Sequence, residues 1–371
     1  MYKLDYSGAV VNRGNRAKIK EVMKRAEAGE KLTVGFLGGS ITQGSLSSTP
    51  ETCYAYRVFD WWKKTFPKAE FTYVNAGIGA TDSQFGCARV REDLLAKKPD
   101  YVLLEYAVND EATEHFRETF EGVVRQILRA ESHPALMVMY NVCYDNGSSA
   151  QLQHAKVVRH YDIPAVSMQS TIYPELLAGR IENAEITPDN LHPNDAGHEL
   201  VASVITYGLE EIRKDPAGAE VAHPLQAPLT VNAYENSVRY RNQNAKVVEC
   251  QGFEADHTPQ NHITEIFRNG WTASGKGDRI VFDVPGSCLA VQYRKTIQKP
   301  APVAELILDG DEEHPLILDA NFEETWGDKL VLDTVMDHGQ AGAHRVEIRI
   351  CETHPEDKLP FYLVSVIGSG E

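Results

Sequence analysis

Asp189 and His192 stand three residues apart in Pro188-Asp189-Asn190-Leu191-His192-Pro193, a loop stiffened by two prolines. A carboxylate at that spacing can accept from the imidazole Nδ1, which leaves Nε2 to take a proton from a serine hydroxyl. Pro193 also biases His192 toward an extended backbone ahead of the next helix. A serine placed to give up that proton is Ser40, in Gly38-Gly39-Ser40-Ile41-Thr42. The two glycines let the chain turn sharply and keep side chains clear of an incoming acyl group. Two further turns, Asn75-Ala76-Gly77-Ile78-Gly79-Ala80-Thr81 and Ala107-Val108-Asn109-Asp110, can present donors to the oxyanion of a tetrahedral intermediate. The Ser40 amide, an amide from the Gly79–Ala80 turn and the Asn109 side-chain amide make three candidates. Singly, each piece suits a plain strand-end turn equally well.

Other chemistries lack their signatures. Gly38-Gly39-Ser40-Ile41-Thr42 misses the second glycine of a G-x-S-x-G elbow, which argues against an α/β-hydrolase. No HExxH occurs, and the pairs His154/His160 and His192/His198 are six apart, a spacing that splits them between helix faces. No phosphate-binding glycine loop follows the first strand. No metal and no cofactor are expected.

The elements that must position these residues alternate. Strand patterns over Leu32–Leu37, Phe71–Val74, Tyr101–Tyr106, Ala135–Tyr140 and Pro164–Val166 are separated by helical ones. The helices are expected over Tyr54–Phe66, Gln84–Lys97, Glu114–Arg129, Gln151–Tyr161 and Asp195–Arg213. In the last of them Val201, Val204, Ile205, Leu209 and Ile212 fall on one face. Such alternation implies a parallel sheet with helices on both sides, binding its ligand at the strands' carboxyl ends, where every residue above falls.

Residues 1–215 form this first domain and 216–228, rich in proline and alanine, a linker. Residues 229–371 turn to short alternating runs, among them Asp278–Val284, Leu289–Tyr293, Ala304–Leu308 and Tyr362–Ile367, with turn residues between them. That is the pattern of a β-sandwich.

A length of 371 residues suits two domains. The net charge of −16 disfavours nucleic acid or an anionic membrane as partner, and a neutral substrate fits better. No apolar run approaches a membrane span, and Met1–Tyr6 shows no signal-peptide pattern, so a cytoplasmic location is expected. The six cysteines form no CxxC pair and read as free thiols. Oligomeric state is left open, a homodimer included.

The four blocks in this order resemble the SGNH (GDSL-type) hydrolases over roughly residues 30 to 213. The matches are Ser40, the glycine of Gly77-Ile78-Gly79-Ala80-Thr81, Asn109, and Asp189 with His192. The resemblance implies a three-layer α/β/α, flavodoxin-like domain. It makes Ser40 the nucleophile, His192 general base and then acid, Asp189 its orienter and Asn109 an oxyanion donor. Here the first block reads Gly-Gly-Ser where the family has Gly-Asp-Ser, and the second aligns with its amide at either Gly79 or Ala80.

The second domain resembles carbohydrate-binding β-sandwich (jelly-roll-like) modules. Trp326, in an acidic turn beside Gly327, is a candidate platform for a sugar ring, and Trp271 a weaker one. The combination is similar to two-domain carbohydrate O-acetylesterases, in particular the mannan acetylesterases of gut bacteria. It implies deacetylation of acetylated oligosaccharides through an acetyl-Ser40 intermediate. The alternatives are a short-chain esterase, a thioesterase or a xylan-type acetylesterase on the same chemistry, and more remotely a glycan-binding protein without activity.

Overall fold

A computed structural model describes residues 3–216, 221 and 224–370. The chain folds as two compact units, Met1–Asn232 and Ala233–Glu371. Among the described residues no helix is long and apolar enough to cross a membrane.

The first unit runs β1 (Val10–Asn12), α1 (Ala17–Glu27), β2 (Lys31–Gly38), α2 (Ser40–Gln43), α3 (Tyr54–Thr65), β3 (Glu70–Gly77), α4 (Ser83–Asp93) and β4 (Tyr101–Glu105). It continues with α5 (Glu114–Leu128), β5 (Ala135–Tyr140), α6 (Gln151–His160), β6 (Ala165–Ser167), α7 (Ile172–Leu177), α8 (Asn183–Ile186) and α9 (Asp195–Lys214). The strands form one sheet in the order β1-β6-β5-β4-β2-β3. Its pairs are parallel, except that β1 runs antiparallel to β6 at the edge.

Strand β4 is buried from end to end, as a strand covered on both faces must be. Its Tyr101 and Leu103 join a core with Ile19 and Val22 of α1, Val58 and Trp62 of α3, and Val201 and Ile205 of α9. Val102 and Leu104, pointing the other way, are equally buried. Helices α4, α5 and α6 pack on one another and bury Val90, Val123 and Val157. The result is the three-layer α/β/α arrangement. The α9 stripe is buried as its spacing predicts, five aliphatic side chains worth on the order of 10 kcal/mol before conformational entropy.

The second unit is all-β: β7 (Val238–Tyr240), β8 (Val247–Gln251), β9 (Glu254–Ala255), β10 (Trp271–Ala273), β11 (Arg279–Gly286) and β12 (Cys288–Lys295). Then follow β13 (Val303–Leu308), β14 (Leu316–Asp319), β15 (Lys329–Met336), β16 (Gly342–Glu352) and β17 (Phe361–Ser369). One sheet has the order β15-β12-β17-β10-β9, with β7 also on β17, and the other β14-β13-β16-β11-β8. Val291 and Leu363 of the first sheet and Phe282, Leu306 and Ile348 of the second share one core, which makes the unit a sandwich. Trp271 is part of that core, 3% exposed with its ring 5.1 Å from Phe282, so it is no sugar platform.

Of the expected linker, residues 217–220 and 222–223 lie outside the described residues. Residues 226–230 belong to the first unit and are fastened within it. Arg125 donates to the Gln226 carbonyl at 2.9 Å and His160 Nε2 to the Ala227 carbonyl at 2.7 Å. The buried carboxylate of Glu121 accepts from the Leu229 and Thr230 amides at 2.6 and 2.8 Å.

Candidate active site

Ser40 is the first residue of α2, immediately beyond the carboxyl end of strand β2, and is 7% exposed. Two close approaches put α2 there. A Cβ on Gly77 would lie 2.1 Å from the Gln43 amide nitrogen, so only glycine lets α2 rest on the end of β3. On the other side the Thr42 hydroxyl meets the Tyr54 hydroxyl at 2.8 Å, tying α2 to α3. The Ser48 amide then donates to Asp195 at 2.8 Å, fastening the following loop to the start of α9.

His192 comes from the loop between α8 and α9. Asn194 caps α9, its side chain accepting from the Ala196 and Gly197 amides at 3.0 and 3.1 Å, and this fixes the chain two residues after the histidine. The imidazole bridges two partners: Nδ1 is 2.7 Å from Asp189 Oδ2 and Nε2 is 2.8 Å from Ser40 Oγ. An ionised carboxylate only accepts, so Nδ1 carries the hydrogen and Nε2 is left to accept from the serine. Asp189 Oδ1 meanwhile accepts from the Leu191 and His192 amides at 3.0 and 2.7 Å. Partial burial pushes its pKa up, but the bonds from the His192 side chain and from these amides outweigh it and hold the carboxyl below its ordinary value.

Asn109 lies against the peptide that precedes Ser40. A Cβ on Gly39 would fall 2.2 Å from Asn109 Oδ1 and 3.0 Å from Nδ2, so the second glycine of Gly-Gly-Ser is what admits the asparagine. The turn that carries it is braced through Asp110, whose carboxylate accepts from the Ser83 amide at 2.9 Å and sits 2.9 Å from His154 Nε2, both side chains buried. The Gly79 amide is close by but engaged, donating to Gln43 Oε1 at 2.6 Å. Ala80, the alternative donor, follows at φ 55.

Ser40, Asp189, His192 and Asn109 thus converge in the first unit, with Gly79 beside them. Trp326 belongs to the second unit. Its ring is 57% exposed, stands edge-on to Phe322 at 5.2 Å, and donates through Nε1 to Glu324 at 2.6 Å.

One residue under the site had no signal in its own segment. Arg89 of α4 is fully buried and donates to the carbonyls of Gly38 and Ala76 at 3.0 and 2.8 Å and to the Tyr106 hydroxyl at 3.0 Å. It pairs with Asp93 at 3.0 Å. A single guanidinium therefore ties together the ends of β2, β3 and β4, the strands that lead to Ser40, Gly79 and Asn109.

A strand-end serine, a loop-borne Asp-His pair and an asparagine over the serine's peptide define a serine hydrolase on a parallel sheet. The chain belongs to the GDSL-like lipase/acylhydrolase family, whose profile matches residues 36–200, and is a carboxylic ester hydrolase. Over its whole length it is similar to a solved two-domain esterase active on acetylated mannans. The two are 59% identical, with a TM-score of 0.97, covering 100% of this chain and 99% of that one. A structure of such an esterase co-crystallised with mannopentaose agrees equally well, at a TM-score of 0.96. The catalytic half is also similar to thioesterase 1/protease 1/lysophospholipase L1 of Escherichia coli (strain K12), 27% identical over 51% of this chain and 87% of that protein. An acetylxylan esterase of Geobacillus stearothermophilus is 25% identical over 50% of this chain and 97% of its own length.

Proposed function

We propose that this protein removes O-acetyl groups from acetylated manno-oligosaccharides through an acetyl-Ser40 intermediate. The observation that carries the chemistry is the continuous relay from Asp189 to His192 to Ser40, at 2.7 and 2.8 Å. Ser40 Oγ attacks the acetyl carbonyl carbon while His192 Nε2 takes the hydroxyl proton. The tetrahedral intermediate collapses as His192 returns that proton to the departing sugar oxygen. Water, deprotonated by the same nitrogen, then attacks the acetyl-enzyme and releases acetate. Asp189 stabilises the imidazolium formed in each half-reaction. The developing oxyanion takes donors from the Ser40 amide, from Asn109 Nδ2, and from Gly79 once Gln43 Oε1 gives way.

The substrate assignment draws on the full-length likeness to a mannan-active esterase at 59% identity. A net charge of −16 favours an uncharged ligand. The exposed Trp326 ring, steadied by Phe322 and Glu324, suits a sugar's apolar face and supports a carbohydrate-binding role for the sandwich. The six free cysteines accord with a cytoplasmic setting and imported oligosaccharides.

Mass spectrometry on acetylated manno-, xylo- and chito-oligosaccharides is the test. Loss of acetyl groups from the manno-series first, abolished by Ser40→Ala, is expected. Activity that survives Ser40→Ala, binding without turnover, or a clear preference for long acyl chains in a simple ester series overturns the proposal.

A further inference from the structure

Glu105 closes β4 directly below the site and is fully buried. Its Oε1 accepts from the Ala107 amide at 2.9 Å, within the turn that ends in Asn109. Across the sheet it is paired in register with Gly38, two residues before Ser40. Its Oε2 has no protein partner, and the same is true of both polar atoms of the Asn141 side chain and of the Tyr144 hydroxyl, all of them buried.

The surroundings of this carboxyl reach all three catalytic segments. Glu105 is close enough to Tyr54 and Tyr144 to disfavour the ionised form of each, with burial the larger cause. Tyr54 holds Thr42 of α2, and so Ser40. The Tyr144 amide donates to the Asn190 carbonyl at 2.7 Å, inside the Asp189–His192 loop. The Ala107 carbonyl, in turn, accepts from the Ala150 amide at 2.7 Å. Burial pushes the Glu105 pKa up to about 8; the Ala107, Val108 and Asn141 amides oppose the rise and Asp110, on its own turn, adds to it. The titratable groups facing it are therefore Asp110, Tyr54 of α3 and Tyr144 after β5, none of them a cation.

We propose that Glu105 is a positioning residue that works as a neutral carboxyl. Buried and uncharged, it accepts from the Ala107 amide through one oxygen and so holds the Asn109 turn in register with Ser40 and the His192 loop. The inference rests on the serine-esterase reading given above. Above the pKa an unpaired charge is left in the core, which forces the turn to shift.

The experiment is a blank-corrected pH profile of kcat and KM on 4-nitrophenyl acetate for the full chain and two variants. Wild type is expected to lose kcat above pH 8, by about tenfold per pH unit if one proton governs the fall. Glu105→Gln keeps one acceptor and one donor in place without titrating. It should retain turnover at pH 7 and stay flat between pH 8 and 9.5. Glu105→Leu should lower kcat by about 10- to 100-fold at every pH with little change in KM. An alkaline fall in Glu105→Gln matching that of wild type overturns the proposal, as does full kcat in a folded Glu105→Leu protein. If Glu105→Leu does not fold, the Glu105→Gln profile still decides. A Ser40→Ala control separates the two ideas. Residual activity there sinks the esterase reading, whereas an inactive Ser40→Ala with an unaltered Glu105→Gln profile sinks the role of Glu105 alone.

Discussion

Replacing Arg89 with methionine keeps the length of the side chain and deletes every donor that it carries. The Gly38 and Ala76 carbonyls and the Tyr106 hydroxyl lose bonds of 2.8 to 3.0 Å, and Asp93 loses its cation. Each bond to a charged donor contributes about 1.5–3 kcal/mol, but burying a guanidinium costs several kcal/mol that the variant recovers. Breaking a buried pair from one side commonly costs about 3–5 kcal/mol net, so a loss of about 4 kcal/mol is expected. For a unit of this size that lowers Tm by roughly 10 °C. The three strand ends are no longer tied, and a misplacement approaching 1 Å at the donors lowers kcat by up to about 100-fold. Arg89→Lys, which keeps the charge but cannot reach three acceptors in one plane, should fall between the two. Scanning calorimetry and aryl-acetate kinetics read both effects. A Tm within about 2 °C of wild type, together with kcat within about twofold, would refute the claim that Arg89 fastens the three strands.

The other perturbations are simpler. Asp189→Asn turns a donor toward imidazole Nδ1 and favours the wrong tautomer, so kcat should drop about 10²- to 10⁴-fold; a loss under fivefold on aryl acetate would contradict the relay. His198 accepts from the Tyr54 amide and donates to the Ser45 carbonyl, both at 3.2 Å, and burial lowers its pKa to about 4. The unfolded chain therefore binds that proton first. The stability it supports is complete above pH 6.5 and is lost as pH falls toward 4, by about 3 kcal/mol. Urea titrations at pH 7 and 4.5 should show a smaller difference in His198→Gln than in wild type. Glu121→Ala orphans the Leu229 and Thr230 amides at a cost of about 2–4 kcal/mol, and should speed proteolytic cleavage between residues 216 and 228. An unchanged cleavage rate would show that the docked segment is held elsewhere.

Sequence periodicity located what is periodic. Strand β5 begins and ends where its apolar run does, and α9 extends one residue past its expected end. Less regular elements escaped. Strand β1 is three half-exposed residues that pair only at the sheet edge, and α1 buries Ile19, Val22, Met23 and Ala26 but has at its N-cap Arg16, which makes no side-chain cap. Strand β15 lies at the rim of its sheet and buries only Leu330, so no alternation marks it. The site residues with chemistry of their own stood out, because Asp-x-x-His and Gly-Gly-Ser carry their geometry in local spacing. Arg89 and Glu105 did not. A lone arginine in a helix or a glutamate ending an apolar strand reads as surface until the fold brings β2, β3 and β4 side by side. The engagement of Gly79 by Gln43 was equally hidden, since it joins the end of α2 to a turn 36 residues further on.

Asp189 spends one oxygen on the backbone of its own loop and the other on His192, so this stretch is braced from within. The acid–base half of the site is in effect a self-supporting cassette clipped to the head of α9. The segment between β6 and Asp189 can then be lengthened, shortened or recoloured without re-engineering the proton transfer.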